Sequence, residues 1–244
     1  TVALQAAALM AEARLIQGRA RSAAAVLDTV GDAIAAGDSA ASGRAILTLA
    51  RVQMARGHAA EASASAQRAV ALGRRLGSVV LITGGQLVLA SLAAGRGDRA
   101  AAFAATAEAE RTATAFGAPE LVASMATFRV RLGLALGDLA AASHWAREAE
   151  RARRGAAWHE QPAHAREAAE MLLARTSLAE GHPARAEAVL EALLPACQSL
   201  GHGAVAIEAG VLLALARQAR GSDAGALAAL GPALAAAAAE DHVQ

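Results

Sequence analysis

Several residue types are missing or rare in this 244-residue chain. It has no lysine, asparagine or tyrosine, its aromatic content is 2%, and Cys197 is its one cysteine. A single cysteine excludes an internal disulfide and is typical of a reducing compartment, so we expect a cytoplasmic protein. The absence of lysine excludes a phosphate-binding G-x-x-x-x-G-K-[ST] loop. No uncharged apolar stretch reaches the ~20 residues that span a bilayer, so we expect no membrane segment.

The chain also lacks an excess of charge of either sign. Its 23 basic residues, all arginine, balance 22 acidic residues, which gives a net charge of +1. Nucleic-acid surfaces normally carry clustered basic residues in excess. The short basic cluster within residues 147–154 contains Glu148 and Glu150 and resembles a solvated helix face. We therefore expect this segment to make no direct contact with nucleic acid.

Alanine makes up close to a third of the chain. Alanine has the highest intrinsic helix propensity, whereas the β-branched and aromatic residues that favour strands are sparse. This composition predicts an all-α fold.

Glycine recurs at nearly constant intervals. One series, which we call the turn glycines, has spacings of 39, 40, 40, 44 and 40 residues: Gly18, Gly57, Gly97, Gly137, Gly181 and Gly221. An alanine stands five residues after each: Ala23, Ala62, Ala102, Ala142, Ala186 and Ala226. A second series falls between them: Gly37, Gly77, Gly117, Gly155 and Gly201. A period in this range, filled with helix formers, indicates an array of helical repeats whose helices end at the glycines.

The two series together predict six helical hairpins in one domain, 1–244. The repeats are expected near 1–37, 38–77, 78–117, 118–155, 156–201 and 202–244. Their first helices are expected near 2–17, 40–56, 79–95, 119–136, 163–180 and 204–220. The second helices are expected near 20–36, 59–76, 99–116, 139–154, 183–200 and 223–239. Because each hairpin buries its apolar face only against its neighbours, we expect a solenoid, and the fold class that we predict is a right-handed superhelix of helical hairpins.

The small residues at equivalent positions of both helices resemble the tetratricopeptide repeat, although that unit has 34 residues and this one about 40. A more specific resemblance lies in the C-terminal half, in the runs 137–146, 166–175, 178–186 and 190–194. These runs resemble the sensor domain of MalT-like regulators, the large ATP-binding members of the LuxR family of bacterial transcription factors. The resemblance implies an effector-binding module between an ATP-dependent switch domain and a helix-turn-helix. The chain begins at Thr1, and we expect it to be a piece of such a larger protein.

By tetratricopeptide register, the inward positions of each first helix lie 13, 10, 6 and 3 residues before its turn glycine. These positions predict a concave groove with polar and arginine residues flanked by aliphatic and methionine side chains. The candidate ligand-binding residues are Glu12, Arg51, Met54, Ser91, Thr127, Arg131, Met171 and Arg175. Arginines at equivalent positions suit a carboxylate, a phosphate or a peptide backbone. The alternative is that they pair with Glu12, Glu167 or Glu170, or are simply hydrated.

The 44-residue interval places extra residues around 155–162. This loop contains Trp158 and His159, which could anchor a ligand or partner or pack over the next helix. His159 and Glu160 followed by His164 do not make a zincin motif, because the histidine spacing is five and Pro162 intervenes. We expect no metal site here.

No catalytic constellation is recognisable, so we expect no enzymatic activity and no cofactor in this segment. The sequence predicts an effector-sensing domain of a MalT-like LuxR-family regulator that binds its effector in the concave groove and biases oligomerisation. The alternative is a general tetratricopeptide-like scaffold that binds a peptide or protein. The expected partners are a small-molecule or peptide effector, a protein partner, or both, with self-association of the full-length protein.

Overall fold

The structure, a computed structural model, describes residues 2–140, 143–144, 147, 150–151 and 162–242; within 119–127 it describes the backbone and the side chain of Leu121 only. These residues include twelve α-helices and no β-strand. The helices are α1 Val2–Ile16, α2 Ala20–Asp28, α3 Gly31–Ala36, α4 Ala40–Ala55, α5 Ala59–Leu76, α6 Val79–Gly95, α7 Arg99–Ala115, α8 Pro119–Ala135, α9 Ala163–Ala179, α10 Pro183–Leu200, α11 Gly203–Ala219 and α12 Asp223–Ala239. The predicted all-α fold of helical hairpins is confirmed. The predicted helix near 139–154 lies mostly outside the described residues.

Glycines in the left-handed backbone conformation end most of the helices. Their φ angles lie between 62° and 79°: Gly18, Gly57, Gly77, Gly97, Gly117, Gly137, Gly181, Gly201 and Gly221. The residue after each glycine donates its N–H to a carbonyl five residues earlier; for example, His58 N lies 2.8 Å from Gln53 O. This bond is the Schellman closure of a helix, and glycine adopts the required φ without steric cost.

Gly37 ends its helix differently from the other glycines. It has an extended backbone, with φ −82° and ψ 145°. A Cβ at this position would lie 2.5 Å from Ser42 Cβ and 2.7 Å from the carbonyl oxygen of Ala33. Gly37 is therefore required by a close approach to the start of α4, where Ser39 and Ser42 form a reciprocal capping box.

The first repeat corrects the prediction of one second helix near 20–36. The segment is instead two helices, α2 and α3, which are separated at Thr29 and Val30. Val30 has φ −123° and ψ 19°, outside the helical region, and the Thr29 hydroxyl donates to the Val26 carbonyl at 2.7 Å. Two consecutive β-branched residues followed by Gly31 have low helix propensity, which explains why the break falls here.

The chain divides into two compact units, and unit 1 comprises Thr1–Ala126 and Glu240–Gln244. Within it, α1 packs against α2 and α4, and α4, α5, α6 and α7 pack in succession. Alanines at the crossings are fully buried: Ala11, Ala23, Ala50, Ala62, Ala90 and Ala102. Small residues allow close approach of the helix axes, and larger side chains such as Leu27, Ile46 and Val52 fill the space between crossings.

Residues 240–242 of unit 1 lie at the start of α2. The N–H of Ser22 donates to the Glu240 carboxylate at 3.0 Å, and the N–H of Arg21 donates to the Glu240 carbonyl at 2.9 Å. The Arg21 guanidinium also donates two bonds to Asp241, at 2.8 and 3.0 Å. The first N–H groups of a helix have no partner within it, and the residue preceding α2 supplies no side-chain cap. Glu240 therefore caps α2.

Unit 2 comprises Thr127–Ala239, and α8 crosses the boundary between the units. Helices α9 to α12 pack in succession, and α9 also contacts α11. Their core includes Leu190, Leu193, Leu213 and Cys197. Helices α11 and α12 approach closely at Gly210, where a Cβ would lie 2.9 Å from Ala233 Cβ. Among the described helices, none is both long enough and apolar enough to cross a membrane.

Candidate functional site

Each first helix has a buried position followed by an accessible position shortly before its turn glycine. The residues seven before the glycine are at most 5% exposed: Ala11, Ala50, Ala90, Val130, Ala174 and Ala214. The residues six before it are all half-buried or exposed: Glu12, Arg51, Ser91, Arg131, Arg175 and Leu215. Four residues thirteen before a turn glycine are also accessible: Gln5, Arg44, Ala168 and Glu208. We call these ten accessible residues the first-helix face.

In unit 1 the first-helix face carries an ion pair between α1 and α4. Arg51 Nη1 lies 3.5 Å from Glu12 Oε1, and the side chains are 40% and 29% exposed, respectively. Thr48 Oγ1 lies 3.2 Å from the same carboxylate oxygen and 3.0 Å from the Arg44 carbonyl, so its one hydroxyl proton is shared between two acceptors. Glu12 is therefore held by two groups of α4, and the alternative that Arg51 pairs with Glu12 is what the structure contains.

Arg51 lies where α4 and α6 pack closely against each other. A Cβ on Gly84 would lie 2.6 Å from Leu47 Cδ2 and 3.4 Å from Arg51 Nη2, so the glycine leaves room for both side chains. Burial lowers the pKa of Arg51; Glu12 opposes this effect and the positive charge of Arg44 adds to it. Arg44 itself is exposed. Unit 1 thus has two arginines and one glutamate on its face.

In unit 2 the face carries an ion pair between α9 and α11, formed by Arg175 and Glu208. Their side chains are 26% and 34% exposed. The Nε atom of Arg175 is enclosed and has no hydrogen-bond acceptor among the described residues. Burial and, to a lesser degree, the positive charge of Arg131 lower the pKa of Arg175 to about 10. Arg175 therefore remains charged at neutral pH in a partly desolvated position.

Arg131 on α8 is the exposed member of this group. No described carboxylate lies within 4.0 Å of its guanidinium. Burial by the surrounding protein nevertheless lowers the pKa of Arg131. Unit 2 thus also has two arginines and one glutamate on its face, and in each unit only one of the two arginines is paired within the described residues.

The remaining predicted ligand-binding residues are placed less uniformly. Met54 is half-buried and packs against the core of unit 1, and Ser91 is half-buried. Met171 is only 7% exposed and belongs to the core of unit 2 with Ala174 and Leu190. Three predicted residues fall outside the described side chains: Thr127, Trp158 and His159.

Unit 2 also contains a buried polar pair that the sequence did not predict. Both carboxylate oxygens of Glu167, which is 6% exposed, lie 2.8 Å from His202 Nδ1. His202 directly follows Gly201, and its side chain is half-buried. The two residues are 35 positions apart and meet because α9 packs against α11, so no local pattern marks the pair.

Among the described residues, the Glu167–His202 pair has neither a reactive cysteine nor a metal-binding cluster beside it. Cys197 is fully buried, and burial, reinforced by the charges of Glu167 and Glu170, raises the pKa of its thiol to about 12. A cysteine nucleophile needs the thiolate, which this environment disfavours. Within the described residues, no group of three or more histidine, cysteine, aspartate or glutamate side chains could hold a metal ion.

Comparison with known proteins identifies the repeat. A family model described as the MalT-like TPR region, where TPR denotes the tetratricopeptide repeat, matches residues 33–244. A search of curated proteins finds no match. The matched range begins within the first repeat and covers α4 to α12, including every arginine of the first-helix face. A helical repeat of this kind is a scaffold fold, and the chain belongs to the MalT-like TPR family.

Proposed function

We propose that this chain is the effector-sensing and protein-interaction domain of a MalT-like, LuxR-family bacterial transcriptional regulator of the cytoplasm. In this proposal the effector binds in the concave groove lined by the first helices and biases the oligomerisation of the full-length protein. One observation carries the proposal. Arg51, Arg131 and Arg175 occupy equivalent positions on the first-helix face and stay accessible, although the surrounding protein lowers their pKa values.

Helix packing alone does not require arginine at this position. The equivalent residues of two other repeats are Ser91 and Leu215, which are accessible in the same register. Holding a guanidinium where it is partly desolvated costs free energy, so the arginines suit recognition better than stability. Small-molecule sites combine apolar walls with a few fixed polar groups. The aliphatic residues three before the turn glycines, such as Leu134 and Leu178, supply such walls.

The proposed response is a shift between two states of the regulator. An effector can move that equilibrium only as far as its affinities for the two states differ. A tenfold difference corresponds to about 1.4 kcal/mol. First helices contact each other within each unit, α1 with α4 and α4 with α6 in unit 1 and α9 with α11 in unit 2, so an effector that bridges two of them would favour one repeat-to-repeat arrangement.

The reading frame that encodes this chain tests the regulator assignment. We expect a nucleotide-binding domain with a phosphate loop upstream and a helix-turn-helix domain downstream. The absence of both from the full-length protein would refute the assignment and leave the scaffold alternative.

Thermal-shift screening tests the site. The panel contains neutral oligosaccharides, amphipathic metabolites, dicarboxylates, phosphate esters and short peptides. A ligand at 100 times its dissociation constant stabilises the folded state by about 2.7 kcal/mol. Arg51→Gln and Arg175→Gln should reduce that stabilisation, whereas Arg75→Gln on the exposed surface of α5 serves as the matched control. If all three variants respond like the unmodified protein, the first-helix face is not the binding site.

The alternative function, a scaffold for a peptide or protein, is favoured by an apolar stripe on α1. Val2, Leu9 and Ile16 are 77%, 53% and 54% exposed and are spaced by seven residues, which places them on one side of the helix. Exposed apolar stripes of this kind are typical of protein contacts. Leu9→Glu should abolish binding of a protein partner under this alternative and leave effector-dependent thermal shifts unchanged.

A further inference from the structure

We infer that Arg131 and Arg175 of unit 2 form a binding site for an oxyanion group of the effector, a carboxylate or a phosphate, and that Glu208 occupies part of this site until the anion binds. The inference rests on the proposed function, because it names the chemical class of the effector. It concerns unit 2 alone and assigns different roles to the two arginine groups of the first-helix face.

The two guanidinium groups are brought together by adjacent first helices. Val130 on α8 and Leu172 on α9 pack in one apolar cluster, and Leu134 lies against it. Arg131 follows Val130 directly, and its charge is close enough to Arg175 to contribute to the lowered pKa of that residue. Two like charges are therefore held near each other by the packing of the helices beneath them.

Only one carboxylate among the described residues offsets these two charges. Glu208 pairs with Arg175, and no described carboxylate lies within 4.0 Å of Arg131. The Nε donor of Arg175 also remains without an acceptor among the described residues. The two guanidinium groups together thus carry one positive charge more than the one carboxylate that pairs with them among the described residues.

An oxyanion is the ligand that this arrangement suits. Guanidinium groups donate parallel N–H bonds to carboxylate and phosphate oxygens, and charge-assisted bonds of this kind are about twice as strong as neutral ones. The interaction strengthens where protein atoms exclude part of the water. A bound anion would also remove the repulsion between Arg131 and Arg175. A neutral ligand would gain neither the charge-assisted hydrogen bonds nor the relief of this repulsion.

The glutamate of the corresponding group in unit 1 has two partners, although Arg44 there has no carboxylate partner among the described residues. Glu12 accepts from both Arg51 and Thr48, so two groups of α4 fix its carboxylate. Glu208 has Arg175 as its sole partner among the described residues. Glu208 can therefore be displaced by an incoming anion at lower cost than Glu12. This difference places the anion site in unit 2.

Isothermal titration with inorganic phosphate and with succinate, at fixed low ionic strength, tests the inference. Arg131→Gln should weaken binding of the anion about tenfold or more, because it removes the unpaired donor. Glu208→Gln should tighten it about tenfold, because it removes the competing carboxylate while keeping the side-chain shape. Arg75→Gln is the control, since it removes the same charge from the exposed surface of α5, away from the first-helix face, and should change the affinity less than twofold. A preference for phosphate over succinate identifies a phosphate group in the effector, and the reverse identifies a carboxylate.

Several results would overturn the inference. Equal weakening by Arg131→Gln and Arg75→Gln would mean that the anion responds only to net charge. Unchanged or weaker binding in Glu208→Gln would mean that this glutamate does not compete. Absence of binding of both anions at millimolar concentration would exclude the site. Circular dichroism of each variant checks that it is folded. A neutral effector that stabilises the protein equally with and without Arg131→Gln would overturn this inference and leave the proposed function intact.

Discussion

Gly85 provides a test of how closely the helices of unit 1 approach. It lies inside α6, where a Cβ would be 2.6 Å from Val70 Cγ2 and 2.9 Å from the carbonyl oxygen of Ala66 on α5. Carbon atoms prefer separations of about 3.5–4.0 Å, so Gly85→Ala must push α5 and α6 apart. Gly95 is the last residue of the same helix, and a Cβ there would meet nothing within 4 Å. Gly95→Ala is therefore the matched control.

The two glycine-to-alanine substitutions should change the free energy of unfolding in opposite directions. Alanine is about 1 kcal/mol more favourable than glycine in a helix interior, and less at a helix end. Gly95→Ala should gain a few tenths of a kcal/mol, up to about 1. At Gly85 the same gain in helix propensity is opposed by overpacking, which costs about 1–3 kcal/mol. We expect the upper part of that range, because the Ala66 carbonyl belongs to the backbone of α5 and cannot rotate away from the added Cβ. The expected net loss is about 1–2 kcal/mol, equivalent to about 2–8 °C in Tm.

Urea unfolding followed by circular dichroism measures both variants against the unmodified protein. A lower midpoint for Gly85→Ala, with an unchanged slope, would report lost stability rather than a change in the unfolded state. If Gly85→Ala instead raises the midpoint as Gly95→Ala does, α5 and α6 do not approach each other closely at Gly85.

Two further predictions concern unit 2. Because Cys197 is fully buried and its pKa is raised to about 12, its thiol should not react with Ellman's reagent at pH 8 until urea unfolds the protein; labelling of the native protein at the unfolded rate would contradict this burial. Hydrogen bonds from Arg220 and Arg217 lower the pKa of Glu187 in the folded state. This stabilisation is present above the unfolded pKa of about 4.3 and is lost as the pH falls through the folded pKa. The urea midpoint of Glu187→Gln should therefore lie below that of the unmodified protein at pH 7 and approach it by pH 3; a gap that does not narrow would refute the pairing.

The helix bounds were predictable from sequence because glycine acts locally. The left-handed conformation after a helix depends on one residue, and the positions of Gly57 and Gly97 in the sequence give the ends of α4 and α6 to within two residues. The break at Thr29 and Val30 was missed because the alanine-rich residues on either side continued the helical pattern. Helix propensity is low at Thr29, Val30 and Gly31 but not decisive, and Gly31 lies outside the two regular glycine series that mark the other helix ends.

Side-chain partners were less predictable than helix ends. The sequence placed Arg51 and Arg175 on an accessible face, since this follows from helical periodicity. It left open which carboxylates they meet, because that depends on the distance and rotation between different helices. Glu167, one of the expected arginine partners, bonds to His202 instead. Met171 shows the same limit: the register placed it among the groove residues, but neighbouring helices enclose it.

The alanine-rich crossings have a consequence for recognition. Because alanines let first and second helices approach closely, few large side chains are needed to fill the repeats, and aromatic residues are scarce throughout the chain. A surface with few aromatic anchors has limited means to select a ligand by apolar shape alone. Under the proposed function, selectivity on the first-helix face therefore comes mainly from its charged groups. Each unit has two arginines and one glutamate there, yet the glutamate of unit 1 is fixed by Thr48 and that of unit 2 has only Arg175 among the described residues. In each unit one arginine has no carboxylate partner among the described residues, so the two groups differ in how their glutamate is held, and composition alone would not distinguish them.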